Sequence, residues 1–173
     1  MNKGALAATL LVLSTPAAHA DINGAALVSQ FKQWCLSGPL DFNAFAANAK
    51  KRGFGVQFDK TSPVYDGFQL ETRIWTANDG AKNYFRLIAT TGTRDKKPLP
   101  MSCAVGINGL ADKVLAAMQS DPQFGAPKKG IDTDAERSWS WKGPNPQIQF
   151  RLIENDHDTS AAQTQIQLEP ILQ

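Results

Sequence analysis

The sequence predicts an α+β fold of two N-terminal helices, three antiparallel strands, one helix and three further antiparallel strands, joined by one disulfide, Cys35–Cys103. Three observations carry that prediction. The apolar spacing follows a helical period as far as Gly53, alternates with a period of two between Phe68 and Ile107, and repeats the change after Asn108. Strands arriving in consecutive sets, with helices between the sets, argue for antiparallel pairing over a doubly wound parallel sheet. The chain also has two cysteines, each on the apolar side of a predicted element.

The first twenty residues read as an export signal. Lys3 supplies the positive start, Ala5 to Leu13 form an apolar core interrupted only by Thr9, and Pro16 breaks it. Ala18-His19-Ala20 then places small residues where signal peptidase reads, so cleavage is expected between Ala20 and Asp21. A membrane-spanning helix needs roughly 20 apolar residues, about twice this core. No cysteine follows the core for lipid attachment. The expected product is one globular domain over residues 21–173, periplasmic or secreted, with no transmembrane segment.

In the mature chain Ile22 to Leu36 is predicted as the first helix, with Leu27, Phe31, Trp34 and Cys35 on one face and Ser37-Gly38-Pro39 ending it. Asp41 suits the N-cap of a second helix whose Phe42, Phe45, Ala46 and Ala49 form the apolar stripe, with Gly53 at its exit. Strands are expected at Phe68 to Trp75, Asn83 to Thr91 and Met101 to Ile107, and Asn108 is expected to cap a third helix carrying Leu110, Val114, Ala117 and Met118. Arg137–Lys142, Gln147–Glu154 and Gln163–Glu169 complete the order. The two helix-plus-strand blocks are loosely alike at their helix exits, Arg52-Gly53-Phe54-Gly55 against Gln123-Phe124-Gly125.

Cys35 shares the apolar face of the first helix, and Cys103 alternates with Met101, Val105 and Ile107. An even pair in an exported chain reads as a structural bridge. Closing a loop of that length stabilises the fold by about 4 kcal/mol on the chain-entropy account. The opening, with Phe31-x-x-x-Cys35 in one helix and Gly53-Phe54 after the next, resembles small exported proteins of proteobacteria that have no assigned activity. The likeness spans about the first third of the mature chain and implies nothing about activity.

The candidate site comes from turn chemistry. Asp79-Gly80 suits a two-residue type I′ hairpin turn. Centring the turn there pairs Trp75 with Tyr84 and Arg73 with Arg86 on the outer face, and Ile74 with Phe85 and Thr72 with Leu87 on the inner one. The outer face then gathers Trp75, Tyr84, Arg73, Arg86 and Glu71 as a ligand- or partner-binding patch of the composition found at recognition hot spots. Two directly opposed arginines are unfavourable in a sheet, and either Glu71 or a bound anion relieves them. The same residues also suit a sheet face covered by a helix. A second face, carrying Ser138, Ser140, Gln147, Gln149, Gln163, Gln165 and Gln167, reads as an uncharged solvated surface, or as one that binds sugars or peptide backbone.

Other chemistry is weakly signalled. Formal net charge is +2, and the basic clusters Lys50-Lys51-Arg52, Arg94 with Lys96-Lys97, and Lys128-Lys129 fall at helix ends or loops, so nucleic-acid binding is not expected. His157 lies in the acidic turn Asn155-Asp156-His157-Asp158, which lacks the Gly and distal Glu of a calcium loop. No metal or other cofactor is expected, and there is no Gly-x-Ser-x-Gly elbow and no dinucleotide fingerprint. A non-enzymatic periplasmic binding module for a protein, peptide or small anionic ligand is therefore the leading expectation. An envelope-polymer hydrolase with a carboxylate pair and a structural envelope component are the alternatives.

Overall fold

The computed structural model describes residues 23–77, 85–156 and 162–171; the expected export signal, residues 1–20, lies outside them. Helices α1 (Gly24–Phe31) and α2 (Phe42–Lys51) flank a π-helical turn at Lys32–Leu36. Four strands follow, β1 (Gly55–Thr61), β2 (Phe68–Ala77), β3 (Phe85–Arg94) and β4 (Lys97–Asn108). Helix α3 (Ala111–Ser120) leads to β5 (Lys128–Asp132), β6 (Glu136–Lys142), β7 (Ile148–Asn155) and β8 (Gln163–Pro170). All eight strands form one antiparallel sheet, in the order β1-β2-β3-β4-β8-β7-β6-β5.

The fold class and the disulfide agree with the sequence, but each set has four strands where three are expected. The added strands are the two sheet edges. Every residue of β1 and of β5 is exposed, so neither shows the alternation that reveals a half-buried strand. Both edges carry register shifts, and β5 adds Lys128 and Lys129, features that discourage edge-to-edge pairing.

Local signals explain the helices. The Asp41 carboxylate accepts the Ala44 N–H at 2.7 Å and starts α2, as expected. Asn108 does not cap α3; it remains in β4, paired with Gln163, and the helix starts after Leu110 in a left-handed conformation with φ 72°. The three helices cover one face of the sheet, α1 lying on β4 and β8, α2 on β3, and α3 on β7. Gly24 lets α1 cross α3 closely, since a β-carbon there would stand 2.3 Å from the Lys113 carbonyl oxygen.

The core lies between these layers. Leu27 and Phe31 of α1 meet Leu87, Val105, Leu152 and Ile166 of the sheet, all fully buried. Burying one such side chain contributes roughly 1.5–3 kcal/mol. Cys35 and Cys103 are bonded, with their Cα atoms 5.6 Å apart, and tie the π-helical turn to β4.

The strand order reads the same from both edges, and each half is a helix followed by a four-stranded meander. The register extends the correspondence to residues. Phe85-Arg86-Leu87-Ile88 of β3 and Phe150-Arg151-Leu152-Ile153 of β7 are identical in sequence and occupy equivalent strands. Leu87 pairs with Trp75 and Leu152 with Trp139, so Arg73-x-Trp75 matches Arg137-x-Trp139, each arginine lying over its tryptophan ring. Phe54 packs on Phe85 at 5.8 Å and Phe124 on Phe150 at 5.1 Å. The pseudo-two-fold axis passes through the Val105–Ile166 pair.

Candidate functional site

The register of β2 against β3 decides which expected site residues share a surface. Ala77 pairs with Phe85, Trp75 with Leu87 and Arg73 with Ala89, in place of the expected Trp75–Tyr84, Arg73–Arg86, Ile74–Phe85 and Thr72–Leu87 pairs. The connection is residues 78–84; Asp79-Gly80 and Tyr84 fall within it, outside the described residues. Core packing overrides the turn signal. The observed register puts Trp75, Phe85, Leu87 and Ala89 on the helix side, and a buried aromatic ring removes far more apolar area from water than the Ile74 and Thr72 side chains it displaces.

The expected patch is thereby divided between two faces. Trp75 is 1% exposed and packs against Phe42 and Phe45 of α2, at 6.5 and 5.5 Å between ring centroids. Arg73, on the same side, reaches Asp59 at 2.8 Å and Glu71 at 3.5 Å and lies over the Phe42 ring. Trp75 packs under α2, and Arg73 and Glu71 lie on that same side of the sheet, paired with each other. Arg86 projects from the opposite, helix-free face.

That face follows from strand parity. One apolar row crosses the first four strands through Phe58, Ile74, Ile88 and Ala104 and continues into Gln167, Arg151 and Ser140 of the second half. A parallel row runs through Thr76, Arg86, Gly106, Gln165, Ile153 and Ser138. Most of these side chains are half-buried.

The two halves differ in charge. In the second half Gln165 donates to Gln167 at 2.9 Å, Gln167 to Glu169 at 2.7 Å, and Gln149 to the other Glu169 oxygen at 2.7 Å. Arg151 lies 3.5 Å from Glu169 and 3.4 Å from Glu136. This surface is therefore a charged, mutually bonded lattice rather than the uncharged one its glutamines suggest. Its carboxylates are committed as acceptors to neighbouring side chains.

In the first half the register places Lys60, Arg86, Arg94 and Lys97 on the helix-free face, and no carboxylate from β1–β4 joins them there. Arg86 lies over Gly106, where a β-carbon would stand 3.6 Å from its Nε. It donates to the Gln163 side-chain oxygen at 2.8 Å and to the Ile107 carbonyl at 3.4 Å, while its buried Nε has no acceptor among the described residues. Burial pushes its pKa below the usual arginine value. A half-buried guanidinium with no carboxylate partner among the described residues is suited to binding an anion.

At one end of this face β4 runs beyond its last pair with β8, Cys103–Leu168, and Pro98 and Pro100 remove N–H donors from the exposed segment. A groove of about 260 Å³ opens there, with Leu70, Leu99 and Pro170 as apolar walls. Among the described residues no three His, Cys, Asp or Glu side chains gather as a metal site, and no helix is long and apolar enough to cross a membrane.

Sequence reasoning missed the cluster of Arg151 with Glu136 and Glu169, against which Arg86 stands out. The repeated Phe-Arg-Leu-Ile tetrapeptide, at 85–88 and 150–153, was the signal that links Arg86 to Arg151. No protein-family model matches the chain, and comparison with curated proteins and with solved structures finds no significant match.

Proposed function

We propose that the chain, cleaved after Ala20, is a non-enzymatic binding module of the periplasm that recognises a protein, peptide or small anionic ligand through the helix-free face around Arg86. The observation that carries this reading is the half-buried Arg86 guanidinium, which has an acceptor-less Nε and no carboxylate partner among the described residues. Holding an arginine that way opposes folding, and such residues collect where a ligand completes them. The Cys35–Cys103 bridge supports an oxidising compartment.

Native mass spectrometry of protein purified from a bacterial periplasm under non-reducing conditions tests the proposal. The expected species begins at Asp21, carries one disulfide, and shows an adduct that Arg86→Gln removes. A bare oxidised mass for the wild type, or an adduct unchanged in Arg86→Gln, overturns the assignment.

A further inference from the structure

We infer that Arg86 is a carboxylate-recognition site, completed by a ligand's carboxylate in the way that Arg151 is completed by Glu136 and Glu169 within the chain. The inference deepens the binding-module reading and rests on it. Its basis is the pseudo-two-fold correspondence between the two halves. Arg86 and Arg151 occupy the same position of the same tetrapeptide on equivalent strands, and both project from the helix-free face. Arg86 is flanked by Thr76 and Gly106, and Arg151 by Ser140 and Gln167.

Following the same register outward, Glu169 lies two residues beyond Gln167, and its equivalent, two beyond Gly106, is Asn108. Glu136 pairs with Asn155, and the equivalent of that pair is Thr72–Thr90. Both acids that neutralise Arg151 are therefore replaced around Arg86 by uncharged side chains. Around Arg86 the cation is kept, and neither equivalent position carries an acid.

A carboxylate fits this gap better than a phosphate. Its single charge matches one guanidinium, and its two oxygens match the planar fork of N–H donors. A phosphate dianion is commonly held by several convergent donors, such as a helix N-terminus, and the three helices lie on the other face. Ile88, two residues from Arg86 along β3, and Ile74 beside it add an apolar surface. The ligand is thus an organic acid on an apolar body, either a small molecule or an acidic side chain of a protein segment.

The test uses the mature oxidised protein, with the Arg Nε–Hε resonances followed by nitrogen-15 NMR. The probes are sodium hexanoate, hexanol, inorganic phosphate and a hexapeptide of alternating Val and Glu. Hexanoate and the peptide are expected to shift the Arg86 resonance saturably while Arg151 stays in place, and hexanol is expected to leave both unmoved. Arg86→Gln should weaken binding at least tenfold. Asn108→Glu, which restores the acid of the second half, should do the same while keeping the cation, and Arg151→Gln should leave binding intact. A dispersed amide spectrum certifies that each variant is folded.

Tighter binding of the peptide assigns the site to a protein segment, and tighter binding of hexanoate to a small acid; either supports the inference. Phosphate bound at Arg86 in preference to both carboxylates overturns it but leaves the anion-binding reading standing. Carboxylate binding undiminished by Asn108→Glu also overturns it. No response of Arg86 to any anion overturns the inference and the broader reading together.

Discussion

Replacing each of the two equivalent arginines by methionine should have unequal effects on stability. Arg151 faces Glu136 at 3.4 Å and Glu169 at 3.5 Å, and all three side chains are less than a third exposed. At an effective dielectric near 20, one such contact is worth roughly 4–5 kcal/mol before desolvation and solvent screening. After those corrections, Arg151→Met should cost about 1–3 kcal/mol, because two carboxylates lose their cation. Arg86→Met gives up one good hydrogen bond, to Gln163, and one long one, to Ile107. It also removes a buried Nε without an acceptor, whose cost is about 1–3 kcal/mol, so the net change should fall within roughly 1 kcal/mol of zero. Urea unfolding of the oxidised protein at pH 7, followed by tryptophan fluorescence, measures both, provided the denaturant slopes agree. Equal losses, or a larger loss for Arg86→Met, would refute the claim that Arg86 is held against stability for binding.

Three further outcomes follow from the fold. Removing the bridge with Cys35→Ala and Cys103→Ala should destabilise by about 4 kcal/mol on the chain-entropy account, given the 68-residue separation, and reductant should then leave the variant's urea midpoint unchanged. Trp75→Ala should cost about 3–5 kcal/mol and blunt the near-ultraviolet circular dichroism, because the ring sits against Phe42 and Phe45 rather than on an exposed patch. A hydrogen bond from Lys32 holds the Asp121 carboxyl below its ordinary pKa. A carboxylate depressed on folding stabilises above its unfolded pKa, and that contribution is lost as pH falls through the lower folded value. Asp121→Asn should therefore unfold earlier than wild type at neutral pH, with the gap closing below about pH 4 in thermal melts.

Much of the framework was legible in sequence because burial writes itself as periodicity. Leu27, Phe31 and Cys35 on one side of a helix, and Cys103, Val105 and Ile107 on one side of a strand, led directly to the disulfide and the central core. Strands β1 and β5 left no such trace, since an edge beyond the helices buries neither face. The register expected from Asp79-Gly80 is not the one observed, and that dipeptide lies outside the described residues. Tyr65 and Phe68 exchange both backbone hydrogen bonds around Asp66-Gly67, with φ of 47° and 75°, so the type I′ turn forms at that Asp-Gly. Between β2 and β3 the demand to bury Trp75 and Leu87 on one side fixes the pairing. That choice separated Arg86 from Arg73 and Trp75. The contrast between Arg86 and Arg151 depends on cross-strand neighbours far apart in the chain, and only the sheet order reveals it.

The placement of the disulfide bears on how the chain is assembled in time. Both cysteines precede β5–β8, so under oxidising conditions the crosslink can close before the second meander is in place. Its first partner is a strand, β4, whose outer edge then waits for β8, with the helix segment already fastened beside it. Because α1 rests on both β4 and β8, the early bond fixes in advance a surface against which the late-arriving half must dock. Assembly of this kind is vectorial, and an antiparallel meander joining a preformed template needs to search few registers.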